Sequence, residues 1–158
     1  MHRAEGRIAF ATGVTVVTVR TPRGTPSGLT VNAFTSVSLD PPLVLICIHR
    51  NAASHDPLLE TGYFAVSVLG REQETLAMVF AQGEASERFR GLETVDAPMG
   101  SPLLPGCVAW LECRVQSVHE GGDHSIVVAE VLESEILGGE PLLFFRGMLT
   151  GLDASPGS

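Results

Sequence analysis

Residues 28–42 read GLTVNAFTSVSLDPP, a run whose residue types and spacing could do binding chemistry that needs no charge. Taken as one strand of period two, it sets Leu29, Val31, Ala33, Thr35, Val37 and Leu39 on one face and Thr30, Asn32, Phe34, Ser36 and Ser38 on the other. The first face is a core face. The second carries four neutral hydrogen-bonding side chains around one phenylalanine and none of the Lys or Glu that an ordinary solvent face favours. Hydroxyl and amide groups beside irregular backbone suit a flat heteroaromatic ring whose edge carries carbonyls and ring nitrogens. The competing reading is a plain edge-strand surface, in which Thr serves only as a strand former.

The stretch HRNAAS, residues 49–54, adds the groups a phosphate needs. Arg50 brings a guanidinium, Asn51 an amide and Ser54 a hydroxyl at a predicted helix start, although a helix cap beside a solvated arginine would look the same. One strand face for a ring and one turn for a phosphate describe a mononucleotide pocket. No G-x-G-x-x-G follows a strand, and P-loop, G-x-S-x-G and H-E-x-x-H motifs are absent, so any nucleotide is held by another fold. His119, Asp123 and His124 lack the helical i, i+4 spacing of the zincins, and no metal is expected. Cys47, Cys107 and Cys113 sit in apolar runs with no base or cation beside them and are expected as buried, reduced core thiols. Arg146 either makes an ion pair or faces a phosphate, and the sequence does not choose.

The elements that must position these groups are mostly strands. GVTVVTVRTPRGTPSGLTVNAFTSV gives two β-branched runs around a Pro/Gly turn, the pattern of an antiparallel pair. Asp40-Pro41-Pro42 ends the second run, because proline lacks an amide donor and constrains the residue before it. LVLICIH (43–49) is nearly all apolar and predicts a central strand covered on both faces. SHDPLLETG predicts a short helix that Ser54 caps and Gly62 closes. YFAVSVL (63–69) predicts a strand, and REQETLAMVFAQ (71–82), with Leu76, Val79 and Phe80 at helical spacing, a second helix. Residues 83–106, rich in Gly, Pro, Glu and Ser with a basic group at Arg88 and Arg90, predict a long surface excursion of the kind that carries function or makes an interface. CVAWLECRVQSVHE (107–120) and HSIVVAEVLESEIL (124–137) flank the hairpin signal Gly121-Gly122-Asp123. LLFFRGML (142–149) predicts one more strand and DASPGS a disordered tail. About six strands with one or two short helices suggest a small antiparallel barrel with helical decoration.

A length of 158 residues is that of one ordinary domain, and the net charge of −8 argues against a nucleic-acid partner. Hydrophobic residues at 44% against 18% charged are many for so small a domain, which predicts an oligomer interface. The opening MHRAEGRIAFATG lacks the long apolar core of a signal peptide, and no run approaches the roughly 20 apolar residues of a membrane helix. A cytoplasmic protein without membrane contact is expected.

ATGVTVVTV, GLTVNAFTSVSLDPPLVLICI, FAVSVL, GDHSIVVAEV and PLLFFRG occur in an order and spacing similar to those of the flavin reductase-like family, and the chain resembles that family over roughly residues 7–149. The resemblance implies a mainly β fold, an FMN-binding split β-barrel that is antiparallel and Greek-key-like with a few short helices, as a single domain over 1–150 followed by a tail at 151–158. It implies an NAD(P)H:flavin oxidoreductase of the FMN reductase type, which passes hydride from NADH or NADPH to FMN, or FAD, as a homodimer and supplies reduced flavin to a flavin-dependent monooxygenase. Carried onto this chain, the family's flavin-contacting strand falls on Thr30, Asn32, Ala33, Phe34, Thr35, Ser36, Val37 and Ser38, with ring contacts largely from the backbone of Thr35 to Ser38. Arg50, Asn51 and Ser54 match the phosphate turn, where Ala52 replaces a usual Ser. The histidine of GDH, His124, is the implied catalytic residue, positioning nicotinamide over the flavin. The family's last strand has a Tyr that this chain lacks, with Phe145, Met148 and Leu149 in that region. The rival readings are a non-catalytic flavin- or haem-binding split barrel, a carrier for an apolar ligand, and an oxidase of a pyridoxine phosphate.

Overall fold

The computed structural model describes residues 9–152; the opening residues 1–8 and the expected tail DASPGS (153–158) lie outside them. Its strands in chain order are β1 (Thr12–Gly13), β2 (Thr15–Arg20), β3 (Pro26–Val31), β4 (Phe34–Leu39), β5 (Pro42–His49), β6 (Tyr63–Val68), β7 (Val95–Asp96), β8 (Pro102–Leu103), β9 (Ala109–Gly121), β10 (His124–Ile136), β11 (Leu142–Phe145) and β12 (Met148–Gly151). Helix α1 (His55–Thr61) follows β5, and α2 (Glu74–Gln82), entered through a 3₁₀ turn at Arg71–Gln73, follows β6. The fold is mainly β and antiparallel, as read from the sequence.

One seven-stranded sheet runs in the order β3-β2-β6-β9-β10-β5-β4. Its two terminal strands, β3 and β4, are consecutive in the chain and separated only by Asn32 and Ala33. A flat sheet cannot satisfy both facts, so the sheet curls round until its ends meet, and the covalent chain at Asn32-Ala33 closes the barrel where no ladder does. Val17, Val31, Ile46, Phe64 and Val127 fill the interior, with Leu58 of α1 packed among them. Strand β2 is buried on both faces, since Val16, with Val14 just before the strand, packs outward with Ala77 and Phe80 of α2 and Leu142 of β11.

The barrel corner overturns the single strand expected over residues 28–39. Leu29 and Val31 point into the core, but two non-strand residues then shift the alternation, and Phe34 is the next side chain to pack inward. Val37, 50% exposed, and Leu39, 95% exposed, lie on the surface instead of in the core. Strand β5 buries only Val44, Ile46 and Ile48, while Leu43, Leu45 and Cys47 of its other face are half-buried, because no second layer of the described residues covers that side. Cys107 and Cys113 are buried as expected, and all three thiols are free. The stretch LLFFRGML is a hairpin and not one strand: Arg146 and Gly147 both take positive φ, 53° and 75°, and reverse the chain between β11 and β12. Strand β12 runs through Gly151, opposite Leu142, and so takes in the first residue of the expected tail.

The excursion from 83 to 106 is pinned more firmly than its composition suggests. The fully buried Glu112 accepts backbone hydrogen bonds from Met99 (2.7 Å) and Ser101 (3.1 Å), and Arg20 reaches Asp96 and the carbonyl of Gly100.

Candidate active site

Two concavities flank the barrel corner. The larger, about 1070 Å³, is walled by Asn32, Ala33, Phe34 and Thr35 together with Phe10 and Thr12, and no charged residue lines it among the described residues. Its size and uncharged wall suit one planar heteroaromatic ring system. The wall also holds the hydroxyl of Thr12, the buried side-chain oxygen that lacks a hydrogen-bond partner among the described residues. Other interior threonines spend theirs, Thr15 on the carbonyl of Val31 and Thr18 on that of Pro102. An unspent hydroxyl beside a neutral cavity is a fit for a ligand edge rich in acceptors.

The smaller recess, about 490 Å³, is lined by Thr30, His49, Asn51, Ala52, Ala53 and Arg88. Thr30 and Asn32 therefore face different spaces, as two residues either side of the corner must. The Thr30 hydroxyl is already committed, donating to the carbonyl of Ala77 at 2.6 Å. Arg88 donates to the carbonyls of Gly28 (2.8 Å) and Gly83 (3.0 Å), which leaves part of its guanidinium fork for a ligand. Burial lowers the Arg88 pKa, with Glu84 opposing the shift. The close approach depends on Gly28, where a Cβ would sit 3.0 Å from the carbonyl oxygen of Val17 and 3.1 Å from the ring of Phe80.

The expected site residues divide. Asn32, Ala33, Phe34 and Thr35 share the cavity, and Thr30 and Asn51 share the recess. Ser36, Val37 and Ser38 continue along β4, where a bulge places Ser36 opposite Val44 and Ser38 opposite Leu43, and they line neither space. Arg50 is exposed, with its guanidinium 3.7 Å from Glu120. Ser54 is only 1% exposed, and its hydroxyl bonds that of Ser27 at 2.6 Å, so it precedes α1 without capping it by its side chain.

His124 opens β10 directly after the two-residue turn Gly122-Asp123, which Gly122 permits with φ 72°. Its Nδ1 lies 2.7 Å from the Asp123 carboxylate, and in the ladder it stands opposite His49. The hydrogen bond from His124 holds the Asp123 pKa below its ordinary value, with the charges of His124 and His49 adding to it. His49 Nδ1 accepts the backbone N–H of Asn51 at 3.0 Å, which places the proton of the neutral ring on Nε2, 3.8 Å from the same carboxylate. Among the described residues no cluster of His, Cys, Asp and Glu is arranged to hold a metal.

His49 and Arg88 are functional candidates that the sequence reading did not single out. His49 stood at the end of an apolar strand, and Arg88 was visible only as part of a basic group on the excursion; the fold brings both to the recess with Asn51.

An antiparallel barrel closed at a polar corner, with a neutral cavity on one side and a cation-lined recess on the other, defines a split-barrel domain of the nucleotide-cofactor-binding class. Residues 6–153 match the family described as Flavin reductase like domain, and the chain belongs to that family. It is 44% identical over 139 residues, covering 88% of this chain and 78% of the relative, to an FMN reductase (NADH) of Agrobacterium fabrum. It is 39% identical over 145 residues, 91% of this chain and 73% of the relative, to the reductase subunit of a flavin-dependent monooxygenase of Rhodococcus jostii. Among solved structures, the NADH:FAD oxidoreductase of Streptomyces globisporus C-1027, in complex with NAD and FAD fragments, superposes with a TM-score of 0.89 at 41% identity, covering 96% of this chain and 92% of that one.

Proposed function

We propose that this chain is an NAD(P)H:flavin oxidoreductase that reduces FMN, or FAD, and supplies the reduced flavin to a flavin-dependent monooxygenase. The observation that carries this reading is the neutral cavity walled by Asn32, Ala33, Phe34 and Thr35 beside a recess holding Arg88 and Asn51, in a chain of the flavin reductase-like family. The names of the relatives, an FMN reductase (NADH) and a monooxygenase reductase subunit, support the reaction and the partner.

A bound flavin supplies the redox chemistry, accepting hydride from reduced nicotinamide at its ring. The chain's task is orientation and electrostatics. Asn32 to Thr35 hold the ring without offering it a charge. Arg88 and Asn51 hold the phosphate, with Arg50 at the rim of the turn. His124, half-exposed and anchored by Asp123, positions nicotinamide. Residues 1–150 act as one domain. The buried Ser54 serves the turn by tying it to Ser27.

The working form in this reading is a homodimer in the cytoplasm. Strand β4 ends the sheet and presents Val37 and Leu39 beside an edge with no ladder partner among the described residues, an arrangement that a second copy would cover. No helix of the described residues is long and apolar enough to cross a membrane.

The test is NADH and NADPH oxidation followed at 340 nm with and without added FMN, together with the visible spectrum of the isolated protein. Oxidation that requires FMN is the expected result. Flavin binding without nicotinamide oxidation would leave a binding protein and sink the enzyme.

A further inference from the structure

Resting on the proposed role of His124, we infer that His55 and Ser125 are positioning residues, a buried relay that sets the placement of His124 relative to the phosphate turn. His55 is the first residue of α1 and 9% exposed, and its Nε2 lies 2.7 Å from the hydroxyl of Ser125, itself 6% exposed. Its Nδ1 lies 2.8 Å from the carboxylate of Asp56. A carboxylate only accepts, so Nδ1–H donates to Asp56, and Nε2 of the neutral ring accepts the Ser125 O–H. Every polar atom of the imidazole is thereby used, and its ring plane is fixed at both ends.

The consequence lies in what these residues adjoin. Ser125 follows His124 on β10, and successive strand side chains point to opposite faces, so Ser125 turns inward as His124 turns out. His55 follows Ser54, whose hydroxyl is tied to Ser27, and comes four residues after Asn51 of the recess. The β5 and β9 ladders set the register of β10, with His124 opposite His49 and Gly121. They hold its first residues edge to edge, with Ser125 opposite Ile48 and Glu120, but neither ladder reaches the helix across the inner face. The Ser125 to His55 bond supplies that tie, and it joins the strand carrying His124 to the helix that begins where the phosphate turn ends.

The test uses the full-length protein with Ser125→Ala, Ser125→Thr and His55→Gln, each also made in a His124→Ala background. Ser125→Ala removes one hydroxyl and leaves the fold intact, which a wild-type circular dichroism spectrum verifies; His55→Gln is the second probe. We expect about a tenfold rise in KM for NADH in Ser125→Ala and His55→Gln, with the Kd for FMN, read by flavin fluorescence quenching, within about twofold of wild type. Ser125→Thr, which keeps the hydroxyl, returns KM to within about twofold of wild type. In the His124→Ala background the Ser125 and His55 substitutions add nothing further, because what they position is gone. Effects that add fully to those of His124→Ala, or that fall equally on FMN binding, would overturn the relay and leave a merely structural bond. A His124→Ala variant with a wild-type KM would instead overturn the role given to His124 under the proposed function, and the relay with it.

Discussion

His49 and His124 meet edge to face, ring centroids 5.1 Å apart and planes at 69°, from paired positions on β5 and β10. The contact joins His124 to the recess that His49 lines. Through its Nδ1, His49 holds the backbone of Asn51 in the recess, and through its ring it braces the half-exposed His124. The carboxylate of Asp123 lies 2.7 Å from one imidazole and 3.8 Å from the other.

Substituting the two histidines should therefore give different kinetic signatures. His124→Ala raises KM for NADH about tenfold and leaves FMN affinity within about twofold, because only the nicotinamide side loses a contact. His49→Ala raises both, since the Asn51 amide loses its acceptor and His124 its brace. Steady-state kinetics with each substrate varied separately, together with FMN titration by fluorescence, distinguish these patterns. A His49→Ala protein that matches wild type in both would show the contact to be incidental.

The depressed pKa of Asp123 fixes the sign of a pH effect. The ordinary value is 3.8 and the folded value is lower, so the carboxylate's stabilising contribution is complete above the ordinary value and is lost as pH falls through the folded one. In thermal melts, the gap in melting temperature between wild type and Asp123→Asn should be present at about pH 5 and should close below about pH 4. A gap that widens in acid would reverse the assignment. The group is exposed, so a small effect is expected.

Arg88 is the cation of the recess, and its contribution should depend on the ligand's phosphate. Arg88→Ala is expected to raise the Kd for FMN by about tenfold or more and to change that for riboflavin, which has no phosphate, by no more than about twofold. The two hydrogen bonds to Gly28 and Gly83 are lost in either case, so equal losses for both flavins would mean that the side chain only anchors the excursion.

Much of this architecture is legible in the sequence, for identifiable reasons. The β-branched runs of β2 and β6 and the Gly-Asp turn between β9 and β10 are local signals that the fold obeys. The corner at Asn32-Ala33 is not local, because neither Gly nor Pro breaks the run there; the break follows from the need to return to the far edge of the sheet. The Arg146-Gly147 reversal was hidden because arginine is an uncommon choice at positive φ, where Asn, Asp or Gly usually announces a two-residue turn. The cavity wall from Asn32 to Thr35 drew notice in the sequence because an uncharged face is itself unusual. Arg88 did not, since its meeting with Asn51 depends on a loop path that no period encodes.

The three thiols should differ in reactivity. Burial, with the Glu112 charge beside it, pushes Cys113 up to about 12, and burial raises Cys107, whereas Cys47 is half-buried on the uncovered face of β5. A thiol-specific reagent at about pH 8 is expected to label Cys47 alone in the native protein and all three cysteines after denaturation. Rapid native labelling of Cys113, read by mass spectrometry, would contradict its burial.

Glu112 is fully buried on β9, yet no cation among the described residues pairs with it; its two oxygens accept the backbone N–H groups of Met99 and Ser101. A buried carboxylate is tolerated on such terms because each oxygen receives a donor, and the donors belong to the excursion that carries Arg88 at its other end. Glu112→Gln keeps one acceptor and replaces the other with a donor facing an N–H, which should cost about 1–3 kcal/mol. Glu112→Ala leaves both amides without partners and should cost more, about 3–5 kcal/mol, with a cavity added. Urea denaturation measures both. Limited proteolysis should show earlier cleavage between 83 and 106 in each variant, because removing the anchor frees that segment before it unfolds the barrel. Equal stability of Glu112→Gln and wild type would mean that the other ties, from Thr18, Arg20, Gln73 and Arg88, hold the excursion without it.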